Sequence, residues 1–588
     1  MKVFLYTLPL IFSCFCPCMA QNKHEPAIPE RIYLHTDRNV YIAGDYLFYA
    51  LYLQGKPGQM SKYAYLTLRD RNNMPVTKIR VDIKNQIAFG NVYLPDTLRT
   101  DIYQIVCYTN YMRNDGEDSF FKKEILIANR FDKKSELFDS TINADQSNAL
   151  RGQYSVNETG NKNLVIHLNK MEFSTREKVM FSIETKNIPA DSITRLSISI
   201  SEITPGIPVE PSISDYFAGT NEQSIAIKPN QYLNNYHLEV KGSVIEGRVL
   251  SKPKSDKQSV TGISEIDKDA NNYTILVSTP DSIANLQYTT TDSLGAFCIF
   301  LNRYYEGKEL IIRLKNDAKA YIEPDNKFEL TKPFIPTKSF TMAGIRSYLV
   351  RSRNISEVQR YYNEKPEISS VTAVENASAI PRVYFTPDAK VVPADYLPLP
   401  DFVEISRELL PGFRVRKSNE NYTLSFISIK DKGILNIEPK IFLDGVLIDD
   451  VNQIINLGTN KIKRIEILPV IRYYGEMPLT GILAIFSKNS EINNIQFTTP
   501  TIKYQALSSL NYTKPKHFEP ADINSHIPDV RQVLLWDPEI ILHNKEKLQI
   551  ECYTSDLQGN YLISIQGLTS NGVPVNGSAI ITVKSKSN

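Results

Sequence analysis

The sequence predicts a mainly β protein: a string of β-sandwich domains with one small α+β domain among them. Three observations predict it. First, 588 residues exceed what one hydrophobic core serves, so the chain divides into roughly four or five domains. Second, β-branched runs are common and helical periodicity is scarce. Arg195-Leu196-Ser197-Ile198-Ser199-Ile200-Ser201 alternates strictly, as a strand with one buried face does. Third, 33 tyrosines, 25 phenylalanines and 33 prolines stand against one tryptophan, a composition suited to short strands joined by tight connections. Hydrophobic residues at 42% and charged residues at 22% are ordinary globular values, which excludes a disordered or coiled-coil chain. The net charge is +2 with both signs interspersed, so no nucleic-acid partner is expected.

The first 20 residues read as an export signal. Lys2 supplies the positive start and Val3 to Phe15 the apolar segment. Cys18-Met19-Ala20 then forms a small-residue cleavage site before Gln21. Ile11-Phe12-Ser13-Cys14 is a poor lipidation site, so cleavage after Ala20 is favoured over a lipid on Cys14. No later stretch reaches the roughly 18 apolar residues of a spanning helix, which leaves an exported chain, soluble or peripheral to a membrane. Cleavage leaves Cys107, Cys298 and Cys552, an odd and scattered set that argues against a disulfide framework.

From Glu30 to Asn129 the chain carries a first β-domain. Leu47-Phe48-Tyr49-Ala50-Leu51-Tyr52-Leu53 is apolar on both faces, as a strand between two layers is, and Tyr103 to Tyr108 is another strand. The stretches from Tyr33 to Leu53 and from Tyr103 to Asn114 resemble a macroglobulin-type domain, given the span 29–130. Phe173 to Ile183 and the alternating Arg195–Ser201 run resemble a second such domain over 160–241. Glu246-Gly247-Arg248-Val249-Leu250, followed by Thr290-Thr291-Asp292-Ser293-Leu294-Gly295 before Ala296 to Phe300, resembles a carboxypeptidase regulatory-like sandwich over 242–334. Residues 335–379 read as a linker with one helical patch, Ile345 to Tyr362.

The stretch from Ile441 to Lys488 is the most specific. Ile441-Phe442-Leu443-Asp444-Gly445-Val446 is a hairpin in which glycine supplies positive φ. A short helix, the strand Lys461 to Leu468, the turn at Tyr473-Tyr474-Gly475 and the strand Gly481 to Phe486 follow. Upstream, Asp401-Phe402-Val403-Glu404 opens a helix with Phe402, Ile405 and Leu409 on one face and Pro411-Gly412 as its stop. This order resembles the plug domain of TonB-dependent receptors of the starch-utilisation type, over 380–492. Only 100 residues follow Lys488, and those from Trp536 onward read as a soluble β-domain over 500–583, so the expectation is a plug without its own barrel. That last domain carries Pro528-Asp529, Arg531, Leu534, Trp536 and Pro538, then Tyr553-Thr554, Asp556, Gly559 and Tyr561. Taken in order, these domains resemble an exported bacterial composite family with macroglobulin-type, carboxypeptidase regulatory-like and plug-like domains, and that resemblance implies that this ending pairs with the macroglobulin-type modules.

Chemistry-bearing motifs are absent. No cysteine is followed by Gly-Glu-Gln, so the thioester of protease-trapping macroglobulins is missing. His517 and His526, with Glu519 and Asp522 between them, fit neither a helical zinc motif nor a finger spacing. There is no Gly-x-Ser-x-Gly elbow and no phosphate loop. The expectation is therefore a non-enzymatic protein with no catalytic residue, metal or cofactor. It is placed in the periplasm or at the outer membrane of a Gram-negative bacterium, docking to an outer-membrane barrel or another envelope protein. Asp444, Gly445, Tyr474, Gly475 and Gly481 are the candidate interaction or structural turns. Two alternatives stand beside it: a macroglobulin-like binder of proteases or secreted substrates, and a carbohydrate-handling module.

Overall fold

The computed structural model describes residues 29–132, 163–251, 273–337, 342–362, 369–370, 382–508, 512–515 and 523–585. It is interrupted at 57, 130, 190–191, 208–209, 223–235, 316–319, 385, 411, 419–420, 429–432, 436–437 and 545. The export signal and Pro411 lie outside the described residues. The mainly β class holds: the described residues form 33 strands and three α-helices. None of those helices is long and apolar enough to cross a membrane. The chain folds as two compact units. One comprises Ala27–Ser243, Asn326–Glu375 and Ser508–Asn588; the other comprises Val244–Asp325 and Asn376–Leu507.

The unit that begins at Ala27 contains two sandwiches. In the first, Tyr46–Gln54 lies between Arg31–Thr36 and Ile87–Tyr93, facing a five-stranded sheet that includes Tyr63–Arg69 and Asp101–Tyr108. Tyr49, Leu51 and Leu53 are buried, and so are Ala50 and Tyr52 on the opposite face, which matches the two-sided apolar pattern of this strand.

The second sandwich differs from the sequence expectation. Spans 160–241 and 500–583, expected as separate domains, share one sheet. Ile193–Glu202 is hydrogen-bonded on one side to Gly559–Thr569 and on the other to Val533–His543. Leu196, Ile198 and Ile200 join Leu542, Ile563, Ile565 and Val575 in a single core. Alternation in the sequence reveals that a strand has one buried face, but not which strand lies beside it, and here the neighbours lie more than 300 residues away.

The motif residues near the C-terminus fasten this closure. The Arg176 guanidinium bonds both oxygens of Asp556 (2.8 and 2.7 Å) and the carbonyls of Ser525 and Ile527 (2.6 and 2.7 Å). Asp529 holds Arg531 in the same bidentate way (2.8 and 2.6 Å). Tyr561, fully buried, donates its hydroxyl to the Leu557 carbonyl four residues back, a tyrosine corner of the kind β-sandwiches use.

The remaining unit joins a sandwich to an α+β module. The sandwich pairs the sheet containing Val244–Ser251 with the sheet containing Thr274–Ser278 and Glu309–Leu314. Its expected span of 242–334 is shorter in the structure, because residues from Asn326 onward belong to the unit just described. It gains the edge strand Thr501–Gln505 from beyond the α+β module. In that module a five-stranded sheet runs in the order Ala389–Val391, Ile462–Tyr474, Met477–Ser487, Lys440–Leu443, Val446–Ile448. The helix Phe402–Leu409 starts where expected, with Asp401 accepting the Glu404 N–H at 2.9 Å. Phe402 and Ile405 then pack with Leu424, Phe426, Ile465 and Ile485 on one face of the sheet. The short helix expected after the hairpin is a single 3-10 turn, Val451–Gln453.

Replacing Arg176 with Ala is expected to lower the stability of its unit by about 2 kcal/mol in urea unfolding, and Lys should recover little, because an ammonium cannot bond both oxygens of Asp556 in that planar geometry.

Candidate interaction site

The Asp444–Gly445 turn has φ of 46° and 90°, left-handed at both positions as a tight two-residue hairpin requires. It is not a free loop. Asp444 is buried, and its carboxylate accepts the Ser487 N–H at 2.6 Å, the Ser487 hydroxyl at 2.7 Å and the Ile492 N–H at 3.2 Å. Its carbonyl accepts the Asp281 N–H at 2.8 Å, and the Gly445 carbonyl accepts the Asn285 N–H at 3.1 Å. A Cβ on Gly445 would stand 2.7 Å from the Ile283 carbonyl oxygen and 2.9 Å from that of Asp281. Glycine is thus required twice, by the φ and by the close approach of the 281–285 loop.

Tyr474, Gly475 and Gly481 are spent in the same way. Tyr474 donates its hydroxyl to the Leu286 carbonyl at 2.7 Å, and Tyr288 accepts the Glu476 N–H at 2.7 Å. A Cβ on Gly475 (φ 61°) would collide with the Tyr288 hydroxyl, and one on Gly481 (φ 82°) with the Phe426 ring. Burial, then the neighbouring Tyr288, pushes the Tyr474 phenol up. Buried Arg313 completes the seam, reaching the Asp449 carboxylate and the Leu447 carbonyl (2.8 Å). All five sequence-selected turn residues therefore fasten parts of this unit to one another, Asp444, Gly445 and Gly481 from buried positions, Tyr474 half-buried and Gly475 at the surface.

Beyond these contacts the described residues leave one face of the long hairpin open. Past the register shift at Leu468/Ile471, Ile471 pairs with Thr480 and Tyr473 with Pro478. Arg472–Leu479 and Tyr474–Met477 alternate with them, and Leu479 and Met477 turn into the core shared with Leu276 and Leu286. Ile471 and Tyr473 project the other way, 44% and 75% exposed, beside exposed Pro478. The sequence singles out Tyr474 at this turn, whereas the exposed residue is its neighbour Tyr473. Period two separates the two faces, but nothing local says which one is covered.

The unit that begins at Ala27 holds a buried polar cluster around His35, Asp37 and Arg38. The His35 Nδ1 lies 2.7 Å from the Ser197 hydroxyl, and the Tyr52 hydroxyl is 2.8 Å from the same oxygen. Burial, with Lys123 nearby, pushes His35 down to about 3, and Ser197 is fully buried, so the pair is a neutral internal tie rather than a base and nucleophile. Burial drives the Cys107 thiol far up and that of Cys552 to about 12, which makes both unreactive. Of the histidine cluster proposed from sequence, His517, Glu519 and Asp522 lie outside the described residues.

Asp37 accepts from the Tyr41 hydroxyl at 2.7 Å and the Phe48 N–H at 3.1 Å, and its carbonyl accepts the Ser199 hydroxyl at 2.9 Å. Arg38 spans from Asp45 (2.7 Å) to Gln532 (2.9 Å), tying the two sandwiches of the unit together beside a cavity of about 100 Å³. Burial raises Asp37 to about 6 against the opposing pull of Arg38.

Two outcomes are expected. Gly445→Ala should destabilise its unit by about 3 kcal/mol, measured by chemical unfolding, through the left-handed φ and the overlap with two carbonyls. Asp37 contributes stability that is complete below the unfolded carboxyl value near 3.8 and lost as pH rises through about 6. Asp37→Asn should therefore flatten the fall in stability between those values, a difference of at most about 3 kcal/mol across unfolding curves at stepped pH.

No protein-family model matches the chain, and no curated protein matches it. Among solved structures it is similar to a Salmonella alpha-2-macroglobulin mutant, at 9% identity and TM-score 0.24, with 96% of this chain and 40% of that one covered. The native conformation of Escherichia coli alpha-2-macroglobulin gives 9% identity and TM-score 0.23, covering 95% and 40%. The chain thus spans about two fifths of the length of these structures. Superpositions of this quality establish neither a common fold nor a common activity.

Proposed function

We propose that this chain is a non-enzymatic, exported binding protein working at the periplasmic face of an outer membrane. In this reading the hairpin end of its α+β module docks to another envelope protein, such as a separately encoded barrel. The observation that carries the reading is the apolar end formed by Ile471, Tyr473 and Pro478, which the described residues of the unit leave open. A tyrosine three-quarters exposed beside an isoleucine and a proline is the composition of an interface centre more than of a solvated surface. The glycine turns of the plug-like order serve a different purpose, since they hold the module to its neighbouring sandwich.

A gentle-detergent pull-down of the tagged protein from its own cells, compared with an Ile471→Ser/Tyr473→Ala variant, tests this. Stoichiometric recovery of an outer-membrane barrel is expected from the parent chain. Recovery should fall at least about tenfold in the variant, whose stability should change by less than about 0.5 kcal/mol. Equal recovery from both chains, or recovery of soluble proteases alone, contradicts the reading.

A further inference from the structure

The α+β module carries a second, smaller sheet in the order Phe413–Ser418, Asn421–Ser428, Gly433–Leu435. Among the described residues Phe413–Ser418 pairs only with Asn421–Ser428, which leaves its other edge without a described strand beside it. Ser418 pairs with Asn421 across two intervening residues, and in a two-residue hairpin the closing pair is by rule the hydrogen-bonded one. Alternation then points the backbone groups of Ser418, Arg416 and Arg414 inward to the sheet and those of Lys417, Val415 and Phe413 to the open side. The Phe413 N–H is taken by the Leu410 carbonyl at 3.1 Å, which leaves Val415 and Lys417 to present the edge.

Charge marks the same strand. Arg414, Arg416 and Lys417 are all exposed, and the three strands of this sheet contain no acidic residue. None of the three cations has an ion-pair partner among the described residues, and Lys417 sits 5.5 Å over the Tyr422 ring. Phe413 is buried and Val415 half-buried toward the core, while Arg414 and Arg416 stand on the outer face. Positive charges on an edge deter a like-charged copy from pairing with it, so an incoming strand must bring carboxylates.

The geometry points to this edge as a receptor for an acidic, extended segment of another protein, added as a further strand. The segment would set Asp or Glu at alternate positions against Arg414 and Arg416 and turn an apolar residue toward Val415. Main-chain bonds to Val415 and Lys417 supply affinity, and the alternating carboxylates supply selectivity. This contact is separate from the hairpin end: it needs no envelope partner, so it stands or falls by its own measurement.

The test uses the full chain and a labelled peptide, acetyl-Glu-Val-Glu-Val-Glu-Val, followed by fluorescence anisotropy. Saturable binding is expected, weakened at least about tenfold by R414E/R416E and severalfold between about 50 and 500 mM salt. The reversed side chains are exposed, so the unfolding midpoint of that variant should match the parent. Val415→Pro removes an edge N–H and should abolish binding. If that variant does not fold, a peptide N-methylated at alternate residues gives the same readout from the other side. Equal binding of a Gln-for-Glu peptide, or undiminished binding by R414E/R416E, overturns the proposal. Full affinity of the N-methylated peptide also overturns it, since that marks adsorption by charge without strand addition. Concentration-dependent dimerisation lost in R414E/R416E would assign the edge to a second copy and overturn it likewise.

Discussion

The two carbonyls of the Asp444–Gly445 turn accept the N–H groups of Asp281 and Asn285, and the union of the Val244–Asp325 sandwich with the α+β module depends on that pair of bonds. A tight hairpin normally points its tip at water. Here the tip is covered, so the turn must present acceptors, tolerate positive φ and carry no Cβ, all at once. With the tip covered, Phe442, Leu447 and Ile482 share one core with Leu276, Ala284 and Leu286. Sandwich and α+β module thereby bury apolar surface that neither would bury alone. The Arg313 guanidinium on Asp449 and Leu447 closes the same seam without leaving its charge unpaired.

This constraint decides which surfaces are free to meet a partner. A face already occupied by its own chain cannot receive a partner without breaking hydrogen bonds and re-exposing core. Under the proposed function, recognition falls to what the described residues leave free: the outer face of the hairpin end and the basic edge of the smaller sheet. In the other unit the same logic applies to the buried His35–Asp37–Arg38 cluster. His35 bonds Ser197, Asp37 bonds Ser199 through its carbonyl and Arg38 bonds Gln532, which makes the cluster a joint between two sandwiches.

The sequence made local features legible and left long-range ones hidden. Asp401 as helix cap and Asp444–Gly445 as a two-residue turn depend on neighbours a few residues away, and both appear in the structure where expected. The half-buried pattern of Ile198 and Ile200 was equally plain. The identity of their partners was not. Gly559–Thr569 and Val533–His543 carry the same alternating pattern as any exposed-face strand, and only pairing across more than 300 residues shows that they complete the sandwich begun at Leu164. Thr501–Gln505 passed into the neighbouring sandwich for the same reason. At the site, glycine positions identified where the backbone is constrained. A constrained backbone fits an interior fastener as well as a docking loop, and the choice depended on what packs against it.

Native-state hydrogen exchange at Asp281 and Asn285 tests the lock most directly. Their amides should exchange only through the opening that also releases the Ile482–Ile485 strand, with the same free energy and the same denaturant dependence. Exchange more than about a hundredfold faster than that strand, with little denaturant dependence, would show the turn opening on its own and would contradict a single cooperative body.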